Sequence, residues 1–149
     1  MNSTLNKKPM VYTLLGKPIP LKRPQFSTKP FPHGIDTQKA LKEEARYDIL
    51  SQAPKPTILD GPLHLDVTFY MQIPKSYRPN KRTKMQGTLH DKRPDASNLL
   101  KFLEDTIQGI LIKDDSTITT ITARKIYDKL TRTEFTIVKD TYGEEKTTV

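Results

Sequence analysis

The sequence predicts an α+β domain in which a small mixed β-sheet is flanked by helices. Three observations carry that prediction. From Leu63 to Ile73 the chain alternates, with Leu63, Leu65, Val67, Phe69, Met71 and Ile73 on one side and His64, Asp66, Thr68, Tyr70 and Gln72 on the other. A period of two over that length means a strand with one face on the core. From Ser97 to Gln108, Leu99, Leu100, Leu103 and Ile107, with Ile110 beyond, gather on one side of a helical wheel, while Asn98, Lys101 and Asp105 line the other. Two more strand-like runs, near Thr117–Tyr127 and Thr131–Lys139, close the domain.

The elements follow in order. Residues 1–9 are polar and read as a flexible arm ahead of a domain covering 10–140. Val11 to Leu15 is a brief apolar strand, after which Gly16, Pro18, Pro20 and Pro24 forbid continuing regular structure. Asp36 is suited to cap a helix through Ala40, Leu41, Ala45, Ile49 and Leu50, which Pro54 and Pro56 end. The stretch from Lys75 to Arg93 has no apolar periodicity and reads as an exposed, mobile loop. Gly109 stops the second helix. The long strand, second helix and third strand form a crossover that makes two strands parallel. A turn at Asp128–Lys129 then gives a terminal antiparallel hairpin, and residues 141–149 form a polar tail expected to fray.

At 149 residues the chain fits one domain with a real core. No apolar run approaches the ~20 residues a membrane-spanning helix needs. Met1 to Met10 lacks the apolar middle of a signal peptide, so the expected location is cytoplasmic. With no cysteine, disulfides and thiolate metal sites are excluded. A formal net charge of +8 points to a polyanionic partner, nucleic acid first. No glycine loop cradles phosphates, and no Ser-His-Asp or Cys-His arrangement stands out.

Chemistry concentrates in the acids around the second helix. Asp95 lies just before it, Asp105 on its polar face, and Asp114 and Asp115 just beyond its C-terminus. Carboxylates are disfavoured at the negative end of a helix dipole, and adjacent aspartates repel. A hard divalent cation explains the arrangement, because Mg²⁺ takes one or two carboxylates and completes its shell with water and phosphate oxygens. Phosphodiester hydrolysis asks for such an ion, and Lys101 is placed to meet the phosphate or assist the attacking water. A plainer reading stands beside this one: Asp95 as a helix-start residue, Asp114–Asp115 as a solvated turn, and Lys101 with Asp105 as a surface ion pair worth little.

The segments Arg93-Pro94-Asp95-x-x-Asn98-Leu99-x-Lys101, Glu104-Asp105-x-x-x-Gly109-x-Leu111 and Asp114-Asp115-Ser116, with Leu14-x-Gly16-x-Pro18 and Lys22-Arg23-Pro24 before them, resemble the RusA family of Holliday junction resolvases. The resemblance runs from about Val11 to Val138. It implies a RusA-like two-fold homodimer of bacterial or phage kind, cutting four-way DNA junctions with Mg²⁺ or Mn²⁺ by paired symmetric nicks during recombination and repair. It also implies that Asp95, Lys101 and Asp115 are catalytic and that Asp95, Asp105, Asp114 and Asp115 hold the metal. One position departs from the family pattern, Ser97 standing where an aspartate is usual. The preferred reading is that Asp105 and Asp114 supply the missing carboxylate, leaving Ser97 as a helix cap or outer group. The alternative is a non-catalytic branched-DNA-binding protein on the same scaffold.

Two basic stretches are expected to hold DNA backbone. They are Lys22, Arg23 and Lys29 in the proline-rich loop, and Lys75, Arg78, Lys81, Arg82, Lys84, Lys92 and Arg93 in the later one. Such contacts neutralise phosphates and weaken with salt. Tyr77 is a weaker candidate for stacking on a base, and His90, beside Asp91, is the one histidine worth following. No sequence feature identifies the dimer interface, which an edge strand or the first helix could form.

Overall fold

The computed structural model describes residues 9–144 apart from 54 and 56, so most of the expected N-terminal arm, the end of the C-terminal tail and the two helix-ending prolines lie outside the described residues. Six strands, three α-helices and a 3₁₀ turn follow in order: β1 (Tyr12–Leu15), β2 (Gln25–Ser27), β3 (His33–Ile35), α1 (Lys39–Gln52), β4 (Leu63–Gln72), α2 (Pro79–Met85), α3 (Ala96–Ile107), the 3₁₀ turn (Asp115–Thr117), β5 (Ile118–Asp128) and β6 (Arg132–Lys139). The main sheet has the order β1-β6-β4-β5, and β2 and β3 make a separate two-stranded ribbon. No helix among the described residues is long and apolar enough to cross a membrane. The α+β expectation of a mixed sheet with flanking helices is met.

β4 is the centre of the sheet. Its alternation is realised as predicted, with Leu63, Leu65, Val67, Phe69, Met71 and then Ile73 all buried. Each such side chain gains about 1.5–3 kcal/mol from burial, so a one-residue slip that turned them to solvent is strongly excluded. Leu99, Leu103 and Ile107 of α3 pack into the same core with Ile49 of α1, Tyr12, Phe135 and Ile137. The α3 stripe differs slightly from expectation: Phe102 and Thr106 are buried, while Leu100 and Ile110 only lean on the core. Thr106 is accommodated because its hydroxyl donates to Phe102 O at 2.8 Å.

The crossover from β4 through α3 to β5 is parallel, as expected. The terminal hairpin is not formed. β5 and β6 run antiparallel but flank β4 on opposite sides, with β6 pairing β4 from Leu63↔Lys139 to Tyr70↔Arg132 and β1 on its other edge. Inserting β6 there gives β4 two paired edges and satisfies the backbone of the most apolar strand. Arg132 closes this arrangement: its guanidinium lies 3.6 Å from the Tyr70 ring centroid and forms ion pairs with Asp128 and Glu134.

The Lys75–Arg93 stretch is also more ordered than its composition suggests. Pro79 starts α2, where a missing N–H costs nothing. Beyond it, Gly87 N donates to Tyr127 O, Tyr127 N to Thr88 O and His90 N to Lys125 O, at 2.8, 2.8 and 2.9 Å. This segment satisfies the outer edge of β5, and Gly87 supplies the positive φ of 81° that the bend requires. The proline-rich loop likewise carries regular structure, the β2–β3 ribbon.

Candidate active site

Asp95 is the N-cap residue of α3, with its backbone carbonyl accepting from Asn98 N and Leu99 N. Its carboxylate makes no capping hydrogen bond and is exposed, so it is not spent on the helix. Ser97 is the second residue inside the helix, exposed, and therefore not the cap that sequence reasoning considered. The approach to Asp95 is held by Lys125 of β5, whose ammonium donates to Lys92 O at 2.5 Å and Pro94 O at 2.8 Å. On the other side, Leu21 N donates to Asn98 O at 2.9 Å and fixes the N-terminal loop to the first turn of α3.

A second acidic group forms toward the other end of the helix. Glu104 is half-buried, and its carboxyl pKa is raised first by burial and then by the charges of Asp115 and Asp105, against which Lys101 acts. Lys101 and Glu104 are one helical turn apart, and Asp115 opens the 3₁₀ turn that follows the helix. The sequence displayed Glu104 in its motif but gave it no role. Its i, i+3 spacing from Lys101 was the available signal.

The remaining two acids are occupied. The Asp105 carboxylate lies 3.5 Å from Lys42 Nζ, which also reaches Asp36 at 3.0 Å. Arg46 donates to Asp105 O at 2.8 Å and Thr106 O at 3.0 Å, covering carbonyls at the C-terminal end of α3. Asp114 caps the 3₁₀ turn: its carboxylate accepts from the backbone N and hydroxyl of Ser116 and, at 3.3 Å, from Gln108 Nε2. Those bonds from Ser116 hold its pKa below the usual carboxylate range.

One chain therefore does not bring the four expected metal ligands to one point. Asp95 and Asp105 are ten residues apart, about 15 Å of helix axis. Among the described residues no three Asp, Glu or His side chains are gathered tightly enough to hold an ion. The oxygen chemistry still suits a hard dication, because Asp115 and Asp105 set like charge against the half-buried Glu104 and, among the described residues, no salt bridge is made to Glu104 or Asp115.

Some of the basic residues flank the Asp95 end, and the others lie on the ribbon and around α2. Lys22 and Arg23 follow the Leu21 anchor, Lys29 lies between the ribbon strands, and Lys92 and Arg93 lead into Asp95, all exposed. Lys81, Arg82 and Lys84 lie on α2, with Lys75 and Arg78 just before it. Tyr77 has its ring beneath the Lys81 ammonium, 3.8 Å from the centroid, which covers one face. The His90 ring packs 4.7 Å from that of Tyr127, and burial followed by the Lys125 charge lowers its pKa. That is the setting of a neutral packing residue. A groove between α1 and α3 is lined by Leu14, Leu41, Phe69 and Leu103, with Glu44 and Asp48 present, and is unsuited to a polyanion.

Among curated proteins, the chain is 29% identical over 132 residues to the uncharacterized protein YqaN of Bacillus subtilis (strain 168), covering 85% of this chain and 93% of that one. Residues 16–138 match the family described as endodeoxyribonuclease RusA, a span that contains the main sheet apart from β1 and the last residue of β6, together with every acid of the site. This chain belongs to the RusA endodeoxyribonuclease family, whose members are Holliday junction resolvase-type nucleases.

Proposed function

We propose that the chain is a metal-dependent, structure-selective endonuclease that resolves four-way DNA junctions by paired symmetric nicks in recombination and repair, acting in the cytoplasm as a homodimer. The observation that carries this reading is the half-buried Glu104, its carboxyl raised by burial and by the Asp115 charge with Lys101 acting against them, in a chain of this family. Asp95, Glu104 and Asp115 are the residues that would hold Mg²⁺ or Mn²⁺. When bound, the ion supplies positive charge that eases hydrolysis of a phosphodiester. Lys101 offers its ammonium to a non-bridging phosphate oxygen. Lys22, Arg23, Lys29, Lys92, Arg93 and the cations before and on α2 bind the backbone of the arms, so affinity falls steeply with salt.

Asp95 and the Glu104–Asp115 pair occupy opposite ends of α3. A site that uses both takes them from different chains, and a two-fold dimer makes two such sites. Paired nicks follow from that symmetry. In this arrangement Asp105 and Asp114 are structural, because Lys42 and Ser116 already engage them.

The test is incubation of a labelled four-way junction with protein and Mg²⁺ or Mn²⁺. A linear duplex and an Asp95→Asn, Asp115→Asn double variant serve as controls. The expected result is symmetric nicks in the junction alone, absent in the variant. Ser97, with a neutral hydroxyl where the family usually has an acid, favours a second reading: a protein that binds junctions without cutting. Tight binding with no nicks in either metal would establish that one instead.

A further inference from the structure

The first 35 residues contain six Lys or Arg and no Asp or Glu, so most of the formal net charge of +8 lies in less than a quarter of the chain. Within this stretch, the β2–β3 ribbon presents Phe26 and Phe31 at 71% and 62% exposure, with Ile35 also exposed. Large aromatics on a free two-stranded ribbon gain nothing for folding. They alternate here with Arg23, Lys29 and His33, and the Phe31 and His33 rings lie 5.4 Å apart. Cations for phosphates and open aromatic faces for unstacked bases are the two ingredients of single-stranded nucleic-acid binding.

The root of the ribbon is built rather than loose. Gln38 is only 3% exposed. Its side chain accepts from Lys22 N and donates to Pro20 O, both at 2.9 Å. Leu21 N, between those residues, donates to Asn98 O in the first turn of α3. Two hydrogen bonds thus tie the chain before the ribbon to Gln38 just after it, and a third ties it to the turn that Asp95 caps. The chain leading into the ribbon is thereby anchored beside the start of α3.

We infer that the β2–β3 ribbon is a junction-sensing element, with Phe26 and Phe31 stacking on unpaired or unstacked bases at the branch point while Arg23 and Lys29 bind the flanking phosphates. This rests on the endonuclease reading and deepens it. The ribbon supplies selectivity for branched over linear DNA, because a continuous duplex offers phosphates but no open base face. Tyr77, half-covered by Lys81, is the poorer stacking group.

The chain has no tryptophan, so Phe31→Trp introduces a single indole reporter. In EDTA, titration of that full-length variant with a four-way junction should quench its fluorescence, and a linear duplex of the same sequence should not. Phe26→Ala with Phe31→Ala should weaken junction binding about tenfold or more and leave duplex binding unchanged, as read by anisotropy. Junction binding with an unquenched indole overturns the ribbon assignment alone. Loss of a dimer in the double alanine variant, read by sedimentation velocity, also overturns it, since the ribbon is then a contact between copies. Failure of the wild-type chain to bind any junction sinks both readings together.

Discussion

Glu104 and Asp105 are adjacent on α3, yet they sit in opposite electrostatic surroundings. Asp105 faces α1, where Lys42 bridges it to Asp36, and Arg46 covers the nearby carbonyls. In that group the Asp36 carboxyl is held below its usual range, mainly by the Gln38 N–H and the Lys42 ammonium. Glu104 is half-buried, and its carboxyl is raised instead, first by that burial and then by the Asp115 charge. The α1 side is a closed ion-pair network of a structural kind. The Asp115 side carries an unmet negative charge, the condition under which a bound cation contributes most. Two residues of the same charge, one position apart, are thereby assigned different jobs by what the fold sets against them.

The largest expected effect concerns how the two ends of α3 combine. Asp95→Asn and Asp115→Asn should each abolish nicking alone. Mixed and re-equilibrated, the two variants should regain single-strand nicks, because a shared site leaves one of the two centres in a mixed dimer intact. No recovery would place the whole site within one chain. Next, Glu104→Gln should reduce cleavage about 10- to 100-fold, while Asp105→Asn should change it only a few-fold; equal losses would erase the distinction between the two sides.

A smaller effect lies in the pH dependence of metal-free stability. With its folded pKa above the ordinary carboxylate value, Glu104 contributes stability that is present below that ordinary value and lost as pH rises through the folded pKa. Asp36 behaves oppositely, contributing above the ordinary value and losing that contribution as pH falls through its lowered one. Urea unfolding across the acid-to-neutral range should therefore show a steeper fall with rising pH in the wild type than in Glu104→Gln, and parallel curves would contradict a raised Glu104 carboxyl. The smallest effect is on the closed side, where Asp105→Asn should cost within about 1 kcal/mol in the same measurement, as a partly exposed ion pair does.

Much of the fold was legible in the sequence, and for a physical reason. β4 buries one face and α3 one stripe, and those burials write periods of two and 3.6 into the chain. The parallel crossover followed from the order strand, helix, strand. The position of β6 did not, because Arg132–Lys139 pairs equally well with any antiparallel edge, and local sequence carries no record of which one. The ordering of residues 87–90 was equally hidden: it depends on backbone groups of β5, to which side-chain patterns are blind.

The site divides along the same line. Sequence alone singled out Asp95, Lys101, Asp105, Asp114 and Asp115 as the residues of interest, together with the basic stretches, since charge and residue type are local properties. Only the tertiary structure decided which carboxylates are already satisfied. Lys42 meets Asp105 and Ser116 meets Asp114, whereas Glu104 is left against Asp115. It also showed that Asp95 stands at the far end of a rigid helix from that pair. Compensation and distance are properties of how distant segments are brought together, and a linear pattern of charges contains neither.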